Sequence, residues 1–253
     1  FTLSTAVGSP LGTAIAAATD WRVPLFGVAG LAVLLLPVLA LLVRGVPTAA
    51  PISLGRRFAV LKDSRILLPL IATLLVVAGF NIVYIFSSAV TGFQGTPLAI
   101  LLLVYGLFGV VGNMMAGPLT DRFGSRTIAT VFFALEGAAL LALVFIGGAF
   151  LPIVIVFAVW GVSAFAATVP LQHRLVAVDH QTAAVAISWF STALYIGIAT
   201  APLLGSAAIA TGDVALVPLI GTVVTGLALI AFQLGFALRS RRTGRPAPAT
   251  LGA

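Results

Sequence analysis

Gly117-Pro118-Leu119-Thr120-Asp121-Arg122-Phe123-Gly124-Ser125-Arg126 gathers an acid, two arginines and two glycines into ten residues. The nearest charge upstream is Arg65, and downstream only Glu136 intervenes before Arg174. Charge concentrated in this way marks a short contact with water between two segments that avoid it. Composition agrees: 61% of residues are hydrophobic, 8% are charged, and the mean hydropathy is +1.22. A soluble domain carries about 25% charged residues to cover its surface. The chain therefore belongs in a bilayer.

Working outward from the stretch, Leu98–Thr120 lies before it and Thr127–Gly147 after it, both free of Lys and Arg. Val23–Val43, Ile66–Ser88, Leu151–Gln172, Ala183–Ala208 and Val214–Leu238 are similar runs. Each exceeds the roughly 20 residues that a helix needs to cross about 30 Å of hydrocarbon. Thr2–Thr19 is expected to be an eighth span, and since the chain opens on Phe1 it reads as a fragment of a longer protein. Barrel strands would alternate polar and apolar residues over about ten positions. These runs are apolar on every face, so the expected fold class is an all-α polytopic membrane protein with eight transmembrane helices. No signal peptide is visible, because no basic flank precedes the first span.

Basic residues assign the sides. Of the 13 Lys and Arg, Arg22 alone falls in a turn on one side. The others sit in Arg44–Arg65, in the quoted stretch, at Arg174 and in Arg239–Arg245. The positive-inside rule then makes those segments and the C-terminus cytoplasmic, in a plasma membrane. The net charge of +7 is a topology signal with some attraction to anionic lipid. It calls for no nucleic-acid partner, since no soluble domain presents a basic face. With 0 Cys there are no disulfides or thiolate metal sites. The expected organisation is 1–43 with two helices, a cytoplasmic linker 44–65, six helices in 66–238, and a basic, disordered tail 239–253.

The quoted residues resemble the loop signature of the major facilitator superfamily, G-x-L-(A/T)-D-R-x-G-x-(R/K), at Gly117, Leu119, Asp121, Arg122, Gly124 and Arg126. Gly8, Pro10 and Gly12, followed by Asp20-Trp21-Arg22-Val23-Pro24-Leu25-Phe26, resemble the helix-packing motif of the fifth helix and the G-W-R-x-x-F turn of its bacterial drug and sugar efflux branch. Tyr105-Gly106 with Gly109, Gly112 and Asn113, and Trp160-Gly161 with Pro170 and Gln172, resemble that branch too. The resemblance implies helices five to twelve of a twelve-helix carrier, the first four being absent. It implies proton-coupled efflux of drugs or sugars by alternating access, without cofactor or metal and without enzymatic chemistry. Its partners would be membrane lipid, a small-molecule substrate, protons, and the missing N-terminal helices or a separate half. The alternative is a truncated or partner-half protein without independent transport.

Residue chemistry gives the stretch two readings. Gly117 would allow close backbone approach and Gly124 a turn conformation closed to bulkier residues. Asp121, with Arg122 and Arg126 nearby, would either latch one conformation through a neighbouring helix end or merely fix topology.

Polar residues within the runs are the candidate substrate path. Asn81, Tyr84 and Ser88 share one helical stripe, Ser188, Thr192 and Tyr195 another, and Trp160 belongs to a shorter one. Each stripe either lines a cavity or bonds neighbouring helices together. Glu136 is the one acid within a run. It is a candidate proton carrier or a partnered structural carboxyl. His173 and His180 flank a cytoplasmic turn and read as solvated, not as metal ligands.

Overall fold

A computed structural model describes residues 2–43, 53–178 and 182–243 of the chain. The described residues form helices α1 Thr2–Ala18, α2 Arg22–Leu42, α3 Leu54–Ala59, α4 Ser64–Ile85, α5 Ser87–Thr91, α6 Gly95–Phe123, α7 Ser125–Phe145, α8 Phe150–Ala166, α9 Thr168–Val176, α10 Ala183–Ala210 and α11 Leu216–Thr243. A single 3-10 turn, Val60–Lys62, joins α3 to α4. Among the described residues there is no strand. Seven segments of the described residues are long and apolar enough to cross a membrane. The expected eighth, Thr2–Thr19, is α1, whose 17 residues reach only about 26 Å at 1.5 Å per residue.

Local chemistry sets the boundaries. Asp63 starts α4 by accepting the backbone N–H of Arg65 at 2.9 Å, which satisfies one of the donors a helix N-terminus leaves open. The same carboxylate takes the Arg65 guanidinium, with Nη2 2.7 Å from Oδ2. Phe86 separates α4 from α5, and the next break comes at Gly92, a left-handed residue with φ of 72°. Pro170, in the first turn of α9, cannot donate to the carbonyl of Ala166, and this marks the bend between α8 and α9 at Ala167.

The quoted stretch differs from the expected loop. Residues 117–123 are the last two turns of α6, and the connection to α7 is Gly124 alone, with φ of 81° and ψ of 150°. The expectation for Gly124 matches that backbone. Gly117 is different: a Cβ added there would meet nothing within 4 Å. Close approach falls instead at Gly109, against the Phe165 ring, and at Gly112, against the Val162 backbone. The linker expected at 44–65 contains α3 and the 3-10 turn, while 44–52 lies outside the described residues. α11 continues to Thr243, so the first residues of the segment expected as a tail from 239 are helical; 244–253 lie outside the described residues.

The body is built around α4, the most enclosed span. α10 runs alongside it in the same direction, with Gly197 at the carbonyl of Leu74 and Gly205 at the Phe86 ring. α11 runs the opposite way, with Gly221 near Gly79 and Gly235 near Leu68. α6 packs on α8, α7 on α11 and α8, and α1 on α6. α2 has no buried residue. Two apolar clusters result, one containing Val76, Phe133, Leu171 and Phe232, the other Ile82, Tyr105, Phe157 and Trp160.

Candidate functional site

A cavity of about 290 Å³ opens where the two clusters meet. α4 contributes Asn81 and Tyr84, and α6 contributes Tyr105 and Asn113. Thr168 and Gln172 come from α9, Ser191 and Tyr195 from α10, and Phe80, Phe165 and Leu194 complete the apolar wall. None of the lining residues carries a formal charge. The chain has 3 Tyr, and all of them line this space.

The polar groups are held by their own helices. Asn81 Nδ2 donates to the carbonyl of Val77 at 2.8 Å, which leaves its second amide N–H and its carbonyl oxygen to meet a solute. Thr168 donates to the carbonyl of Phe165 at 2.9 Å, next to the bend that brings α9 to the cavity. The aromatic groups form a tilted stack: Tyr84 lies 5.3 Å from Tyr105, and Tyr105 lies 4.4 Å from Trp160 and 5.4 Å from Phe165. Such packing fixes ring orientation beyond what burial alone would do. The site therefore offers amide and hydroxyl groups beside aromatic faces, which suits an uncharged solute with hydrogen-bonding groups on an apolar frame.

The residues expected in the substrate path are divided by the structure. Asn81, Tyr84 and Tyr195 meet at the cavity. Trp160 is fully buried behind Tyr105 and supports the wall without lining it. Ser88 donates to the carbonyl of Phe93 at 3.1 Å and braces the turn after α5. Ser188 and Thr192 line a second, separate cleft between α3 and α10. In α1, Pro10 is buried, whereas Gly8 has open space where a Cβ would stand. Gly12 faces Pro24, 4.0 Å from a Cβ added there. Tyr105, Asn113, Thr168, Gln172 and Ser191 complete the cavity and were not among the sequence candidates. Asn113 and Gln172 are, like Asn81, amides inside apolar runs, a signal that stripe spacing alone passes over.

The charged stretch is tied to other helices. Asp121 Oδ1 lies 4.0 Å from His173 Nε2 on α9. Arg122 stacks on the neighbouring Phe123 ring, 5.1 Å from its centroid. Arg126 Nε donates to Gln233 Oε1 on α11 at 2.8 Å, and the Gln233 amide donates in turn to Thr130. Glu136 is fully buried and faces α11, where its Oε1 accepts from Thr225 at 3.0 Å. It does not line the cavity. His180 lies outside the described residues, and among those that are described no group of three metal-ligating side chains occurs.

Long apolar helices enclosing a solute-sized, uncharged cavity define a multi-pass membrane protein. The profile of the Major Facilitator Superfamily matches residues 1–202, and the chain belongs to that family of transporters. It is 29% identical over 235 residues to the inner membrane transport protein YdhP of Escherichia coli strain K12, covering 90% of this chain and 60% of that protein. Identity to YbcL of Bacillus subtilis strain 168, described as an uncharacterized MFS-type transporter, is 22% over 240 residues, covering 93% of this chain and 62% of YbcL. A probable sugar efflux transporter of Helicobacter pylori strain J99 is 25% identical over 208 residues, covering 81% of this chain and 53% of that transporter. The chain thus spans about three-fifths of the length of the first relatives it matches, at 62% and 60%.

Proposed function

We propose that the chain is the larger part of a secondary active transporter that moves a small neutral organic solute by alternating access, outward and in exchange for protons. In this reading its helices are the fifth to the twelfth of a twelve-helix carrier, with α1 as the eighth span of the chain and the C-terminus in the cytoplasm. The observation that carries the proposal is the uncharged cavity at Asn81, Tyr84, Tyr105, Asn113, Gln172 and Tyr195, enclosed by several spans. Sugars fit such a lining, because carboxamides pair with adjacent hydroxyls while aromatic rings pack on the apolar faces. A relative described as a sugar efflux transporter agrees with that choice. Neutral drugs with the same balance of groups fit the same wall.

Binding is the test. Titrating the detergent-solubilised chain with a panel of neutral sugars and uncharged drugs should give saturable quenching of tyrosine fluorescence. Asn81→Leu removes one hydrogen bond and should weaken binding about tenfold at unchanged thermal stability. Saturable binding that is indifferent to both Asn81→Leu and Tyr84→Leu would remove the site.

A second reading is favoured by one observation, that α2 buries none of its residues in a chain spanning about 60% of YdhP. The chain would then bind solute but need a further segment in order to move it. Counterflow in liposomes containing this chain alone separates the two: solute exchange supports an autonomous carrier, and binding without exchange supports a half.

A further inference from the structure

The second cleft, of about 340 Å³, lies between α3 and the first turns of α10. Its wall consists of Leu54, Arg57 and Phe58 from α3, with Ala184, Val185, Ser188, Trp189 and Thr192 from α10. We propose that this cleft binds an anionic phospholipid, with its phosphate at Arg57 and an acyl chain against Leu54, Phe58 and Trp189. This inference is independent of the solute cavity.

The first argument is position. α3 precedes the first residue of α4, and α10 passes the same end of α4, so the cleft lies where hydrocarbon gives way to headgroups. Trp189 is anchored there: its Nε1 donates to the backbone carbonyl of Arg57 at 2.9 Å, and its ring meets Phe58 edge-on at 5.3 Å. Tryptophan with an apolar body and one satisfied N–H is suited to that depth. The bond to a backbone carbonyl fixes α3 on α10 while leaving the Arg57 guanidinium unused by the joint.

The second argument is chemistry. Leu54 and Phe58 are four residues apart on one face of α3 and are 69% and 56% exposed, a cost in water that an acyl chain would remove. Arg56 and Arg57 occupy the last turn of the same helix and Lys62 follows. The neighbouring carboxylate, Asp63, is engaged with Arg65. Among the described residues no carboxylate forms an ion pair with Arg57. Ser188 and Thr192 donate their hydroxyl protons to the carbonyls of Ala184 and Ser188, so they present acceptors to the cleft and the anion must be held by arginine. An inorganic anion would gain nothing from the apolar wall, and a zwitterionic lipid would bring an ammonium to a site already cationic. An amphipathic anion satisfies both parts.

The experiment uses the full chain in phosphatidylcholine nanodiscs containing a minor fraction of lipid brominated near the headgroup, either phosphatidylglycerol or phosphatidylcholine. Quenching of Trp189 is isolated by subtracting the signal of Trp189→Phe, which removes the contributions of Trp21 and Trp160. Brominated phosphatidylglycerol should displace unlabelled lipid from the site about fivefold more effectively than brominated phosphatidylcholine, the ratio expected for one basic residue at a membrane surface. Arg57→Gln should reduce that ratio to near one without altering the Trp189 emission maximum, since the backbone bond remains. Arg122→Gln, a basic residue outside the cleft, should leave the ratio intact. Equal quenching by both lipids in the parent chain would overturn the proposal. So would an equal loss of preference in Arg57→Gln and Arg122→Gln, which would mean diffuse attraction to the whole basic face.

Discussion

Gly112→Ala tests the packing that forms the solute cavity. An added Cβ would lie 2.7 Å from the Cα of Val162 and 2.8 Å from its carbonyl carbon, with the carbonyl oxygen nearer still. Carbon atoms pack best at about 3.5–4.0 Å, so α6 and α8 would have to separate by about 1 Å. The obstacle is backbone, which cannot swing aside as a side chain can. Overpacking of this kind costs about 1–3 kcal/mol. Gly117→Ala, in the same helix five residues later, meets no atom within 4 Å and should gain up to about 1 kcal/mol from helix propensity. The two substitutions change the same chemical group in the same helix and should shift stability in opposite directions. Thermal unfolding in a mild detergent, followed by helical circular dichroism, measures the difference. Asn113 adjoins Gly112 and lines the cavity, so solute binding should weaken in Gly112→Ala and remain normal in Gly117→Ala. Equal stability of the two variants would refute the close α6–α8 contact, and with it the placement of Tyr105 and Asn113.

Further expectations concern topology, the buried acid and the charged stretch. Single cysteines at Ser53 and Gly148 should label from opposite sides of the membrane, and the absence of native Cys makes the readout unambiguous; labelling from one side would reject the orientation proposed from the basic residues. Glu136→Gln should fold and transport normally because Gln can still accept from Thr225, whereas Glu136→Leu should lose about 1–3 kcal/mol by leaving that buried hydroxyl without its acceptor. If Glu136→Gln instead abolishes the pH dependence of transport at normal stability, the carboxyl is a proton carrier. Asp121→Asn should leave solute binding intact: the Asp121 and His173 side chains are 77% and 47% exposed, and a polar contact so exposed is worth at most about 1 kcal/mol. That limits any shift between inward- and outward-open populations to about fivefold, measurable by paired spin labels across the proposed cytoplasmic face.

How much was legible in the sequence depends on the range of the signal. Spans are written in uninterrupted apolarity, so the long helices followed from composition and run length alone. The breaks within spans were harder to read. Phe86 and Ala167 interrupt helices without changing hydropathy, although Pro170 supplies a local cause for the second. Stripe arithmetic found Asn81, Tyr84 and Tyr195, because three- and four-residue spacing places side chains on one helix face. It could not say which neighbour that face meets, and so it joined Ser188 and Thr192 to Tyr195 although they open into different spaces. The role expected of Gly117 went to Gly112 for the same reason: close approach is a property of two helices, and only one of them is written at the glycine.

The charge gathered between Gly117 and Arg126 now has a structural account. Its two ends hold different helices: Asp121 faces His173 on α9, while Arg126 holds Gln233 on α11, which also engages Thr130. α6 and α8 are locked together by Gly109 and Gly112, and α7 is joined to α11 again at Glu136 and Thr225. Gly124 is the single residue between these two sets. The cavity takes Tyr105 and Asn113 from α6, whereas neither α7 nor α11 lines it. The covalent link between α6, which lines the cavity, and α7, which does not, is therefore one glycine in a conformation that other residues rarely adopt. The stretch is polar where the chain turns between α6 and α7, with Asp121 beside α9 and Arg126 bonded to α11, and the Asp121–His173 pair is its more exposed contact.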